Sequence, residues 1–300
     1  MRSLTVPSYA KLNLYLKILR RRRDGYHDLA SVFHRISLRD TLNLKKTPSG
    51  FSMTCSNPNL TTGEDNIICR AYRILSKAFP EIGGVSVRLK KNIPLGAGLG
   101  GGSSNAAAFL LGMRKLYGLP LSGARLMKMG KELGADVPFF LSGHSLAVAR
   151  GIGEKLVQKP CRGKKWFVLL VSEKGLATKD VYRNLPKNLP VPSLTKINRT
   201  VKLICSFLEE GCKSSLDQWL RNDLERPAFE LRPSLQKLLD RFRQLGTVTA
   251  VRMSGSGPTL FAILPNRKQA LQVARKGNVA FFYGRCRRRP QHRLIVCHSV

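Results

Sequence analysis

Acidic residues are the scarcest resource of this chain. Eighteen Asp and Glu stand against 52 Lys and Arg, giving a net charge of +34. No acidic residue follows Asp240. A surface this basic attracts polyanions, nucleotides among them. It does not by itself make a nucleic-acid-binding protein, which is the rival reading. The basic residues are spread along the chain, and only Arg20–Arg23 and Arg285–Arg289 form tight clusters. There is no recognisable RNA-binding motif and no basic stripe interleaved with aromatics, so nucleic acid is not expected as the main partner. Long apolar runs are absent too, none reaching the roughly 18 residues that span a bilayer. The first apolar stretch is interrupted by Lys11, Asn13 and Lys17, unlike a signal peptide. These absences lead us to expect a cytoplasmic protein with no membrane partner. Seven cysteines contain no C-x-x-C spacing and are odd in number, which argues against a disulfide framework or a zinc site. Reduced thiols are expected.

The chain also lacks regular strand–helix alternation. Ala10, Leu12, Leu14, Leu16 and Ile18 alternate with Lys11, Asn13, Tyr15 and Lys17, the pattern of a half-buried strand. Asp24-Gly25 marks a turn. Residues 41–55 and 85–90 predict strands, and 65–78 predict a helix. Helices are expected over 103–117 and 122–133, and strands over 145–150 and 166–172. Pro186, Pro190 and Pro192 punctuate a loop between two halves. Helical patterns follow near 195–210, 214–221 and 233–244, then strands over 247–252 and 259–264. This mixture predicts an α+β fold rather than a doubly wound one.

Against these absences stands one dense motif. Pro94, Leu95, Gly96, Ala97, Gly98, Leu99, Gly100, Gly101, Gly102, Ser103 and Ser104 lead directly into an alanine-rich helix. Glycine permits positive φ and leaves room for a ligand against the backbone. A helix start offers unpaired N–H groups and the positive end of the dipole. Together they predict a phosphate cradle. The loop has no Gly-Lys-Ser/Thr, so it is not a Walker A loop. Embedded G-x-G-x-x-G matches carry little weight, because the preceding strand is short and no acidic residue stands about 20 residues on.

The run PLGAGLGGGSSNAA resembles the signature loop of the GHMP kinases, and Ser254-Gly-Ser-Gly-Pro-Thr259 resembles their second glycine loop. The resemblance runs from about residue 5 to about 265. It implies a ribosomal-protein-S5-like N-terminal domain, here residues 1–155, and a ferredoxin-like C-terminal domain, 156–300, ending in a basic tail. It implies ATP as co-substrate, wrapped by residues 94–104, and Mg2+, for which the sequence assigns no ligands. Ser104 is a possible ligand by analogy only.

Three further segments, Ala10-Lys-Leu-Asn13, Asp24-Gly-Tyr-His27 and Leu133-Gly-Ala-Asp-Val-Pro138, narrow the resemblance. They match the GHMP kinases whose acceptor is a cytidine diphosphate ester of methylerythritol, on the non-mevalonate route to isoprenoid precursors. Homoserine or mevalonate is the alternative acceptor. The resemblance implies that Asp136 is the catalytic base; on spacing alone it reads as a helix N-cap before Pro138. It makes Lys11 the catalytic cation, where an isolated strand lysine would be solvated. It implies that Tyr26 and His27 hold the cytosine, with Tyr182 as a second aromatic that could instead pack in the core. Asn13 would meet the methylerythritol end. The charge of +34 and the segment after about 275 depart from the family pattern.

Overall fold

The computed structural model describes the chain apart from residues 1, 173, 187, 211–215, 246–247, 249 and 283–291. Cys212, Cys286, the arginine cluster 285–289 and the start of the strand expected over 247–252 lie outside the described residues. The five cysteines that are described, Cys55, Cys69, Cys161, Cys205 and Cys297, are free thiols. No described helix is long and apolar enough to cross a membrane.

The chain divides into two compact units, both discontinuous in sequence. Unit 1 is Met1–Ala10, Leu38–Leu95 and Gly100–His144; unit 2 is Lys11–Ser37, Gly96–Leu99 and Ser145–Val300. Strands β1 (Ser3–Arg21) and β2 (His27–Thr47) contribute residues to both.

In unit 1, β4 (Gly84–Lys90) pairs antiparallel with Thr41–Thr47 of β2 and parallel with β3 (Phe51–Cys55). The single strand expected over 41–55 is thus two, parted at Gly50, whose φ of 77° suits glycine. Helices α1 (Ile67–Ala78), α2 (Gly101–Tyr117), α3 (Gly123–Leu133) and α4 (Val137–Leu141) pack on one another. Asn66 caps α1 by accepting from the Ile68 N–H, and Ser122 caps α3 by accepting from Arg125. Helix α2 is buried over most of its length because Ala106, Ala107 and Ala108 carry little bulk. At Gly112 a side chain would run into Leu44, so glycine sets the close approach of helix to strand.

In unit 2, Ser31–His34 of β2 pair antiparallel with β5 (Leu146–Arg150), which turns back into β6 (Lys155–Gln158). A second antiparallel sheet has the order β10-β7-β9-β8, formed by His292–His298, Trp166–Ser172, Leu260–Leu264 and Ala250–Met253. Helices α5 (Thr178–Arg183), α6 (Leu194–Glu210), α7 (Glu225–Leu231), α8 (Ser234–Arg243) and α9 (Arg267–Phe282) complete the unit. Val168, Leu170, Leu235, Leu239, Phe242, Ala262 and Val273 form its core with their neighbours. Each large apolar side chain buried there contributes roughly 1.5–3 kcal/mol.

Three expectations change. The helix near 214–221 is only a short 3-10 turn, Leu216–Gln218, among the described residues. The basic tail ends in an integral strand, β10, whose Leu294, Ile295 and Val296 lie opposite Leu170, Leu169 and Val168 of β7. Finally, β1 is not half-buried. Lys11, Asn13, Tyr15 and Lys17 are as buried as the apolar residues between them. The segment around Asn222 and the second glycine loop hydrogen-bond that polar strand.

Candidate active site

The glycine loop contributes residues to both units. Its Gly96–Leu99 portion belongs to unit 2 and is built into a hydrogen-bonded frame. The Gly96 carbonyl accepts from the Leu176 N–H at 3.3 Å, and the Leu99 carbonyl accepts from the Lys11 N–H at 3.0 Å. The Gly98 carbonyl accepts from the Ser254 hydroxyl at 3.0 Å. Gly98 has φ 72°, and a Cβ there would collide with the Ser254 carbonyl. No other residue fits this position. The second glycine loop closes on itself through Ser254 N–H to Thr259 O and Gly257 N–H to Ser254 O, both 2.9 Å.

Lys11 and Asn13 come together in the same frame. The Lys11 ammonium donates to Asn13 Oδ1 at 2.5 Å and lies 4.7 Å from the centroid of the Phe33 ring. Asn13 Nδ2 donates to Ser31 Oγ at 2.9 Å, and the Ser31 hydroxyl donates to the Tyr15 carbonyl at 2.6 Å. This chain fixes the orientation of the Asn13 amide, with its oxygen toward the ammonium. The Asn13 N–H donates to Ser254 Oγ at 3.2 Å. One serine hydroxyl therefore links strand β1 to the glycine loop.

His27 and Tyr182 also meet, their ring centroids 5.4 Å apart and tilted by 39°. Burial, and then the charge of Arg21, lower the His27 pKa, so its imidazole is neutral near pH 7 with one donor and one acceptor. Tyr182 packs against the unit 2 core as well, the alternative that its sequence position left open. Tyr26 is 60% exposed, an aromatic face left in solvent.

The remainder of the loop, in unit 1, opens helix α2. Gly100 is its N-cap with φ 69°, no side chain caps the helix, and no acidic residue occupies its first turn. Uncapped N–H groups and the helix dipole are features that favour an anion at that end. Asp136 stands at the N-cap of α4, yet its side chain makes no capping hydrogen bond. Gly134, two residues earlier, lies against Ser103: a Cβ on it would be 4.0 Å from Ser103 Oγ. The Asp136 turn is thus packed near the N-terminal end of α2.

Behind α2 lies a network absent from the sequence reading. The buried Asp40 carboxylate accepts from the N–H groups of Asn92 and Ile93, both 2.7 Å, from Asn105 Nδ2 at 2.9 Å, and from the Lys91 ammonium. Asn105 also donates to Ser8 Oγ at 2.8 Å, and Ser8 donates to Ser104 Oγ at 2.8 Å. Asp40 thereby ties the residues before the glycine loop to the helix after it. Ser8, Ser31, Asp40, Lys91 and Asn222 were missed because a buried polar group looks like any surface residue in a sequence. Ser254 alone carried a signal, its place in the second glycine loop.

A glycine loop hydrogen-bonded to a second glycine loop, and continuing in sequence into an uncapped helix, suits a small-molecule kinase. Residues 66–144 match the GHMP kinases N terminal domain, and residues 204–283 match the GHMP kinases C terminal domain. More narrowly, the chain belongs to the 4-diphosphocytidyl-2-C-methyl-D-erythritol kinase family. It is 41% identical over 272 residues to that kinase of Syntrophus aciditrophicus, covering 90% of this chain and 93% of the relative. It is 38% identical to the Geobacter metallireducens kinase, covering 91% and 94%. A crystal structure of 4-(cytidine 5'-diphospho)-2C-methyl-D-erythritol kinase superposes with a TM-score of 0.81 at 33% identity, covering 99% of this chain and all of that one. The α+β fold is that of the GHMP kinases, as the motifs led us to expect.

Proposed function

We propose that this enzyme transfers the γ-phosphoryl group of ATP to the 2-hydroxyl of 4-diphosphocytidyl-2-C-methyl-D-erythritol. In the reaction the substrate oxygen bonds to the γ-phosphorus, the bond from that phosphorus to the ADP oxygen breaks, and the hydroxyl proton leaves to a base. Asp136 takes that proton. Lys11, its ammonium aimed by Asn13, stabilises negative charge on the transferring group. Residues 94–104 hold the triphosphate. Tyr26, His27 and Tyr182 receive the cytosine, where stacking faces and a neutral imidazole suit a base with both donors and acceptors. Asn13 reaches the methylerythritol end of the substrate from beside Lys11.

Magnesium enters with ATP. Among the described residues no group of three His, Cys, Asp or Glu side chains could hold a metal. The donor set therefore suits an ion held mainly by phosphate oxygens and water, the ordinary habit of Mg2+ in phosphoryl transfer. Ser104, with its oxygen already accepting from Ser8, would contribute at most one ligand.

The observation that carries this reading is the packing of Gly134 against Ser103, which sets the Asp136 turn at the uncapped end of α2. An ADP-release assay on the cytidyl substrate, homoserine and mevalonate tests it. Turnover with the cytidyl substrate alone is expected; turnover only with homoserine or mevalonate overturns the substrate assignment. Asp136→Asn should retain ATP binding and lose roughly 10²–10⁴-fold in kcat. Near-normal turnover would remove Asp136 from the mechanism.

A further inference from the structure

The three residues Arg221-Asn222-Asp223 lie between the strand that carries Lys11 and the second glycine loop, and they hydrogen-bond both. On one side they form a parallel bridge with β1. The Leu16 N–H donates to the Arg221 carbonyl at 2.7 Å, and the Asp223 N–H donates to the Leu16 carbonyl at 2.9 Å. Asp223 Oδ2 accepts from the Ile18 N–H at 2.9 Å and pairs with the Lys17 ammonium at 3.0 Å. On the other side the Asn222 amide spends both hydrogens on the glycine loop. Nδ2 donates to the Met253 carbonyl at 2.8 Å and to the Gly255 carbonyl at 2.7 Å. Its oxygen accepts from the Leu224 N–H at 2.9 Å, which fixes the orientation of the amide. Glu225 completes the grip by accepting from the Met253 N–H at 2.8 Å.

Ser254 lies between the two carbonyls that Asn222 holds. Its hydroxyl accepts from the Asn13 N–H and donates to the Gly98 carbonyl. Gly255 has φ 56°, and a Cβ there would stand 3.2 Å from Asn13 Oδ1, the atom that receives the Lys11 ammonium. A shift of the 253–255 backbone therefore moves the serine, the phosphate-loop carbonyl and the lysine acceptor together. Asn222 is 5% exposed, so water cannot take over its two donors.

We infer that Asn222 is a positioning residue for phosphoryl transfer, acting through Ser254 to keep Gly98 and the Lys11–Asn13 pair in mutual register. The inference rests on the proposed kinase reaction. It predicts a particular kinetic pattern, because the hydrogen bonds of this segment run to β1 and the second glycine loop, beside the Lys11–Asn13 pair. A misplacement of about 1 Å at a reacting centre costs on the order of 100-fold in rate.

The test uses the full chain with Asn222→Asp, Ser254→Ala and the double variant, assayed with ATP and the cytidyl substrate. Asn222→Asp keeps the volume and removes the donors. Each single variant should lose about 10- to 100-fold in kcat, while KM for the cytidyl substrate stays within about twofold. The double variant should lose no more than the worse single, because both break one linkage. Wild-type kcat in Asn222→Asp, or losses that multiply in the double variant, would overturn the inference. If Asn222→Asp does not fold, Ser254→Ala alone decides: a kcat loss at constant KM supports the linkage, and normal kcat ends it. Failure of the wild-type chain to turn over the cytidyl substrate would instead count against the proposed reaction.

Discussion

Each compact unit buries a lysine–aspartate pair, and the two pairs are wired differently. In unit 1, Asp40 receives donors on both oxygens: Oδ1 takes the Asn92 and Ile93 N–H groups, and Oδ2 takes Lys91 and Asn105. Both partners of the ion pair are almost wholly buried. In unit 2, Asp223 uses Oδ2 for Lys17 and the Ile18 N–H, but Oδ1 faces Arg221, whose side chain is 51% exposed. Lys17 has a second acceptor, the Pro190 carbonyl at 2.7 Å. A buried pair is not stabilising in itself, because desolvation offsets the attraction. What matters is which donors are stranded when one partner changes. The Lys91, Ile93 and Asn105 donors to Asp40 are buried, whereas the Arg221 partner of Asp223 can retreat to solvent.

The largest effect should follow Asp40→Asn. An amide can accept on one side only, so its NH2 would face Lys91 and Asn105 in a dry site. The variant should lose about 3–5 kcal/mol in urea unfolding. KM for ATP should also rise, because Asn92, Ile93 and Asn105 flank the glycine loop. Adding Lys91→Met should recover most of the stability, since removing both charges strands neither. A double variant no better than the single would show that the ion pair is not what the site depends on.

Acid pH sharpens the comparison with a buried group that stays neutral. His34 of unit 2 is buried, and burial pushes its pKa down from 6.5 to about 4. Its Nδ1 faces the Arg35 carbonyl at 3.0 Å, and Nε2 faces Cys161 Sγ at 3.5 Å. The unfolded chain therefore binds a proton that the folded one refuses between these values. The stabilisation is complete above about pH 6.5 and is lost as pH falls toward 4, roughly 3 kcal/mol in all. Unfolding midpoints measured from pH 7 to pH 4 should show this slope, and His34→Gln should flatten it. An unchanged slope in the variant would assign the acid sensitivity to other groups.

Asp223→Asn should have the smallest effect, about 1.5–3 kcal/mol by urea unfolding, the range of a hydrogen bond to a charged group. The amide oxygen can keep Ile18 and Lys17 while Arg221 swings into water. A loss equal to that of Asp40→Asn would break the contrast between the pairs.

The legible part of the site was its glycine. The run from Gly96 to Gly102 predicts backbone of positive φ, and the structure gives Gly96, Gly98 and Gly100 positive φ. AKLN, DGYH and LGADVP were legible only as resemblances, since nothing in isolated Lys11 or Asp136 separates them from a solvated lysine or a helix cap. Helix α9 escaped because Arg267, Lys268, Arg275 and Lys276 hid its apolar face, and strand β10 because its short apolar run follows an arginine cluster. The burial of Lys11, Asn13 and Lys17 escaped for a related reason: alternation reports two faces but cannot say that both are covered.

By itself, then, the sequence determined the α+β class, a glycine-rich loop leading into a helix and the residue types available for transfer. These follow from local rules: backbone freedom at glycine, helix starts and side-chain period. The tertiary structure alone decided which polar groups are dry and whom they hold. The partners are far apart in the chain, as Asn13 and Ser254 are, or Asp40 and Asn105. Their pairing depends on which buried donors would otherwise go unsatisfied, and that is a property of the packed molecule.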